Sequence, residues 1–300
     1  MLITGLHLLL TYKCTFECDH CFVYSGPHAT GVMKIADVRQ ILDEADKLGN
    51  IEWIYFEGGE PFLYYQIMLW GLREAKSRGY KTGMVTNSYW ATSVDDAKEW
   101  LKPVSEIGID YISVSDDLYH YGEDSENLAR YAYQAATELG LPAGTIELED
   151  MRNYSENIEW KGKPVEAGNV QFKGRAVEKL IDSMPRKPWT EFNKCVDEDF
   201  ANQGRVHIDP FGYVHLCQGI VMGNMKQTPM HKLFEDFNPD LHPICGPLMK
   251  GGPVELIKKY QLEHEETYID ECHLCYSARL QLRERFPESL TPNEVYGVQD

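Results

Sequence analysis

Three of the eight cysteines fall within eight residues, Cys14-Thr15-Phe16-Glu17-Cys18-Asp19-His20-Cys21, a C-x3-C-x2-C run. Three thiolates on one short loop suit a cubane iron–sulfur cluster, because soft sulfur donors match iron and the loop can wrap one cluster face. Three ligands leave one iron open to another molecule. The same residues would also allow a zinc loop completed by His20 or a distant side chain, although zinc sites more usually show paired C-x2-C knuckles. The remaining cysteines are Cys195, Cys217, Cys245, Cys272 and Cys275; Cys217 closes a G-x4-C from Gly212, and Cys272-His273-Leu274-Cys275 is a C-x2-C pair opening a helical pattern. A four-thiolate structural zinc site is allowed by that spacing as well as a cluster is.

A second run, Phe56-Glu57-Gly58-Gly59-Glu60-Pro61, follows the second apolar segment. Two glycines let backbone approach a ligand closely, and a carboxyl group accepts from an ammonium. Alone it reads equally as a turn before a helix that starts with proline. Together with the cysteine run it resembles the radical S-adenosylmethionine (radical SAM) superfamily. The resemblance implies that the open iron chelates the methionine amino and carboxylate groups of SAM. It also implies that Gly58, Gly59 and Glu60 hold the amino group, with His20 at the family's aromatic-type position before the last cysteine. Asn87 and Ser115, at the ends of the third and fourth strands, fall where the family contacts the SAM ribose or carboxylate. Arg175, after Gly174 at the end of a late strand, would pair with that carboxylate in a charge-assisted bond.

The later cysteines resemble the C-terminal extension called SPASM, or its shortened form, twitch. That implies one auxiliary [4Fe–4S] cluster held by Cys195, Cys217, Cys272 and Cys275, with no open iron. Cys245 falls outside the pattern and reads as a small buried hydrophobe, or as a radical donor if it faces the barrel mouth. His215 and His273 read as supporting or surface groups.

The elements that position these residues alternate. Strands are expected over Gly5–Lys13, Glu52–Phe56, Tyr80–Thr86, Tyr111–Ser115 and Pro142–Leu148. Helices are expected over Val38–Leu48, Phe62–Arg78, Ser93–Ile107 (with a kink or break at Pro103) and Glu123–Leu139. That alternation predicts an α/β fold with a parallel sheet, whose chemistry sits beyond the carboxyl ends of the strands. Residues 152–166 read as loop, and Asn169–Leu180 as a further strand running into a helix. Val206–Asp209 and Tyr213–Leu216 flank Pro210-Phe211-Gly212 as a hairpin, and Tyr276–Phe286 is a last helix. The resemblance makes this a partial (β/α)6 barrel over residues 1–187 and a small hairpin-and-helix cluster-binding extension over 188–300.

Composition narrows the function classes. Twenty-nine Lys+Arg against 47 Asp+Glu give a net charge of −18, so no broad cationic footprint exists for a nucleic-acid backbone. No apolar stretch is long enough to span a membrane and none opens an export signal, so a reducing cytoplasm is expected, where clustered cysteines mean metal or redox chemistry. The resemblance then implies an oxidoreductase-type enzyme that cleaves SAM to a 5′-deoxyadenosyl radical and takes hydrogen from a substrate, with flavodoxin or ferredoxin as electron donor. A peptide or protein substrate, crosslinked, oxidised or epimerised, is the first expectation. Against it, Cys14 stands too near the first residue for a leader-binding domain to precede the barrel. The alternatives are a small-molecule alcohol or sugar dehydrogenase or rearrangement enzyme, and a non-catalytic iron–sulfur electron carrier. Asp117, Tyr119 and His120 are candidates for the substrate wall or a general base; a satisfied loop network explains them equally well.

Overall fold

A computed structural model describes residues 3–122, 126–148, 170–182 and 184–298. Its first half runs β1 (Gly5–Leu9), α1 (Ile35–Leu48), β2 (Trp53–Glu57), α2 (Tyr65–Ser77), β3 (Lys81–Thr86), α3 (Val94–Ile107), β4 (Tyr111–Ser115), α4 (Leu118–Tyr121), α5 (Leu128–Glu138) and β5 (Ala143–Ile146). Then follow α6 (Ala176–Lys179), β6 (Lys187–Pro188), β7 (Arg205–Ile208), β8 (Tyr213–Cys217), β9 (Ile220–Asn224), α7 (Met230–Asp236), α8 (Cys245–Tyr260), β10 (Thr267–Tyr268) and α9 (Glu271–Leu282). Among the described residues no helix is long and apolar enough to cross a membrane.

The helices form where apolar residues share a face. Val38, Ile41, Leu42 and Ala45 make the buried stripe of α1, a three-and-four spacing that turns one side to the sheet. The helix starts at Ile35, ahead of that stripe, because the Asp37 carboxylate accepts the Lys34 N–H at 2.7 Å and closes its first turn. Gly49, at φ 71, ends it in the left-handed conformation. The expected helix over Phe62–Arg78 opens as a 3-10 turn, Pro61–Tyr64, before α2 begins. The break expected at Pro103 does not occur; α3 continues through it, with Leu101 and Val104 buried on either side.

Strands β1 to β5 pair in parallel, each with the next. On the other side of β1 lies β7, also parallel, its Arg205–Ile208 in register with Gly5–Leu8. The antiparallel β8 and β9 complete an eight-stranded sheet ordered β5-β4-β3-β2-β1-β7-β8-β9. Among the described residues the fold is therefore α/β with a mostly parallel sheet that runs continuously across residue 187. β1 sits between two parallel partners, which explains why its GLHLL is buried nearly throughout.

The strand expected within Asn169–Leu180 does not form among the described residues. The Lys173 N–H donates to the Gln171 carbonyl at 2.7 Å, a turn too tight for extended chain. Gly174, at φ 62, lies so close to the Cys21–Phe22 backbone that a Cβ would approach it within 2.7 Å. The segment packs end-on against the cysteine loop and then enters α6. Residues 152–166 and the start of the expected Glu123–Leu139 helix lie outside the described residues.

Candidate active site

The cysteine loop leaves β1 and returns over the sheet's carboxyl edge. The Cys14 N–H donates to the Gly26 carbonyl at 3.0 Å and the Cys21 N–H to Cys18 at 3.1 Å. Donors also face the sulfurs: Phe16 N–H and the Asn87 side-chain amide, each 3.4 Å from Cys14 Sγ, and Ser25 N–H, 3.3 Å from Cys21 Sγ. Burial pushes the Cys14 thiol up to about 12 and raises Cys18 further. Such thiols stay protonated until a cation replaces their protons.

All three cysteines line one cavity of about 640 Å³, together with Gly58, Gly59, Asn87 and Ser115. The two glycines are required by position. A Cβ on Gly59 would stand 2.3 Å from the Lys13 carbonyl oxygen, and Gly58 sits at φ 139 against the Thr11 backbone. The loop thus lies directly on the chain that delivers Cys14, bringing its backbone to the cavity wall.

Glu60 is not among the residues of that wall. It is fully buried and accepts from Phe62 N–H (3.0 Å), Thr86 Oγ1 (2.9 Å) and Asn87 N–H (2.7 Å). Its carboxylate ties β2's loop to the end of β3. Burial, the largest influence, pushes it up to about 7 despite those three donors. The folded chain therefore holds this proton more tightly than the unfolded chain does. The resulting stability is complete below the ordinary pKa of 4.5 and is lost as pH rises through about 7. We expect the unfolding free energy of the wild type to fall relative to that of Glu60→Gln between pH 5 and 8, by about 3 kcal/mol at most, as read from denaturant titrations. A difference that stays flat across that range would refute the assignment.

Arg175 is likewise not among the residues of the cavity wall. Its guanidinium donates to the carbonyls of Cys18 and Ser25, both at 2.8 Å, and its own N–H to Cys21 at 2.9 Å. The placement makes it a clamp on the cysteine loop. Asp117 lines the cavity and caps α4, accepting from Tyr119 N–H (3.0 Å), His120 N–H (3.2 Å) and His120 Nδ1 (2.8 Å). His120 reaches the cavity too, whereas Tyr119 packs on the His20 ring at 4.9 Å. His20 is pushed down to about 4 by burial, so its imidazole is neutral at physiological pH.

Cys195, Cys217, Cys272 and Cys275 line a second, small pocket with Lys173 and Arg279. The Lys173 ammonium lies 3.5 Å from Cys217 Sγ, and both cations are buried, a charge balance suited to several thiolates in one place. The Cys272 thiol donates to Asp197 at 2.7 Å. Cys245 is fully buried at the start of α8 and is absent from the cavity wall, which removes the radical-donor alternative. His215 and His273 are buried, not on the surface; His215 Nδ1 accepts from Gly219 N–H, and His273 Nδ1 from Ile269 N–H.

Among the described residues, two groups of three or more Cys, His, Asp or Glu have ligand atoms mutually within 4.8 Å: His7–Glu57–His207 and His20–Asp117–His120. Neither contains a cysteine. The first group lies in the cavity wall and went unnoticed in the sequence, where His7 and His207 are single polar residues in apolar strands.

Residues 8–121 match the family model of the radical SAM superfamily. Over 114 residues the chain is 34% identical to the tungsten-containing aldehyde ferredoxin oxidoreductase cofactor-modifying protein of Pyrococcus furiosus, covering 38% of this chain and 30% of that one. Over 111 residues it is 28% identical to YydG of Bacillus subtilis, a protein named for peptide biosynthesis, covering 37% and 35%. The matched part thus spans about a third of each curated relative. The crystal structure of BtrN in complex with AdoMet and 2-DOIA superposes with a TM-score of 0.53 at 16% identity, over 79% of this chain and 83% of that one, a likeness of fold.

Proposed function

We propose that this chain cleaves SAM reductively and directs the resulting radical at a substrate held in the same cavity. The observation that carries the reading is convergence: Cys14, Cys18, Cys21, Gly58, Gly59, Asn87 and Ser115 reach one cavity wall from four different strand ends. When bound, a [4Fe–4S] cluster with an open iron and SAM supply the electron transfer and the 5′-deoxyadenosyl radical. The chain's own task is positioning. Arg175 fixes the loop, Asn87 directs its amide at Cys14 Sγ and Thr15 Oγ1, and Gly58 and Gly59 let their loop lie on the Thr11–Lys13 backbone, which brings it to the cavity wall where SAM's amino group would be held.

The pocket of Cys195, Cys217, Cys272 and Cys275 is proposed to hold one auxiliary [4Fe–4S] cluster, a reading supported by the four cysteines lining one pocket with two buried cations. The substrate proposed is a peptide. Among the described residues β5 ends the sheet, and its Ile146 is exposed while lining the cavity. A strand edge in that position takes an extended chain by adding a strand. YydG's name supports the same class.

The test is anaerobic reconstitution, reduction and addition of SAM, with 5′-deoxyadenosine measured by mass spectrometry. Its release supports the radical reading, and none from fully loaded, reduced protein would sink it. Candidate peptides deuterated at Cα or Cβ should pass deuterium to 5′-deoxyadenosine. Transfer only from deuterated alcohols or sugars would replace the peptide reading with the small-molecule one.

A further inference from the structure

We propose that His7, Glu57 and His207 form a binding site for one divalent transition-metal ion in the cavity wall. The register of the sheet builds it. His7 on β1 lies directly across from His207 on β7 and from Tyr55 on β2. Parallel neighbours in register project to the same side, and Glu57, two residues beyond Tyr55, does so too. Three adjacent strands therefore aim two imidazoles and a carboxylate at one point, and all three residues line the cavity.

The distances fit coordination. His7 Nδ1 lies 3.1 Å from Glu57 Oε2, and His207 Nε2 lies 3.1 Å from Glu57 Oε1. Ligands bound at about 2.1 Å stand about 3.0 Å apart on an octahedron and about 3.4 Å on a tetrahedron. Two histidines and one carboxylate are a donor set for Fe(II), Co(II) or Zn(II) that leaves positions open. Those positions would face the cavity and take an oxygen or nitrogen donor of the molecule inside it.

A second observation comes from the neighbouring amide. The Lys173 ammonium donates to Gln218 Oε1 at 3.3 Å, which turns the Gln218 NH2 towards His207 Nε2, also at 3.3 Å. His207 Nε2 thus stands between the Gln218 amide and a Glu57 carboxylate oxygen, the direction of each contact being set by the ring's tautomer. A proton on Nε2 makes that contact favourable in the metal-free chain, and a divalent ion would replace that proton between the same two atoms. His207 is buried and its Nδ1 has no hydrogen-bond partner among the described residues, so the ring is not held in place by that atom.

The metal site itself does not rest on the SAM reading; only its role towards a substrate does. Its test is equilibrium dialysis of reconstituted protein, its cysteines already occupied by iron, against Co2+, with cobalt counted per chain. One cobalt per chain is expected. Binding should weaken on the order of 100-fold in Glu57→Gln and His207→Gln, at least as much as losing a supporting contact costs. His7→Gln, at a half-exposed position, decides the matter if the buried His207 variant unfolds. No cobalt in wild type, or equal cobalt in all three variants, overturns the site. The same preparation is assayed for 5′-deoxyadenosine, so cobalt binding without SAM cleavage would leave the metal site standing and remove the proposed function.

Discussion

Replacing Cys14, Cys18 and Cys21 together by Ala is expected to lower the iron content of anaerobically prepared protein from about eight to about four per chain, and to abolish release of 5′-deoxyadenosine. The fall should be partial because the two thiol sets occupy separate pockets. The complementary variant, Cys272→Ala with Cys275→Ala, should also retain about four irons, yet keep SAM cleavage and lose substrate turnover. This pair of outcomes separates the two sites by function as well as by metal. Wild-type protein with about four irons and roughly one zinc would make the C-terminal set structural and remove its electron-accepting role. If no iron were bound at all, the radical reading would fail together with the electron-carrier alternative.

Lys173 should register in the same preparations. It is buried beside Cys217, where a fixed positive charge favours the more negative, reduced state of whatever the thiolates hold. Lys173→Met is therefore expected to shift the auxiliary centre to lower potential in a redox titration followed by electron paramagnetic resonance. The centre beside Cys14 should shift less.

What the sequence made legible was whatever repeats along the chain. The apolar run that became β1 stands out because a strand buried between two parallel partners is apolar on both faces. The cysteine spacings are local, and a local motif survives any uncertainty about the fold. Features that depend on register were not legible. His7 and His207 are single histidines 200 residues apart, and only the pairing of β1 with β7 shows that they share a side of the sheet. Glu60 sits in the expected loop, but its direction depends on the Thr86 hydroxyl and the Asn87 N–H, which tie it from the next strand over. The segment around Arg175 misled because Val170 and Phe172 carry a strand-like alternation, while Gly174 meets the cysteine loop at a distance that allows no side chain.

That segment carries the other large expected effect. Arg175→Met should lose most of the iron held by Cys14, Cys18 and Cys21, and SAM cleavage should fall in proportion to iron. The guanidinium satisfies two carbonyls of the loop, at Cys18 and Ser25, in a place that is 91% screened from solvent, the residue being 9% exposed. Leaving both unpaired costs about 2–5 kcal/mol, enough to release the loop that holds the thiols at their spacing. Arg175→Lys should recover only part of the iron, because an ammonium is a point charge and cannot span both carbonyls as the planar fork does. Had Arg175 served chiefly to bind the SAM carboxylate, the Met variant would instead keep its full iron content and show a raised KM for SAM. The two roles are thus told apart by counting iron before any substrate is added. Because Lys173 stands two residues earlier against Cys217, a loosened Arg175 should disturb the second pocket as well. Iron lost from both sets in Arg175→Met, but from one set in each cysteine variant, would identify residues 171–175 as the strut that holds the two centres in a fixed relation.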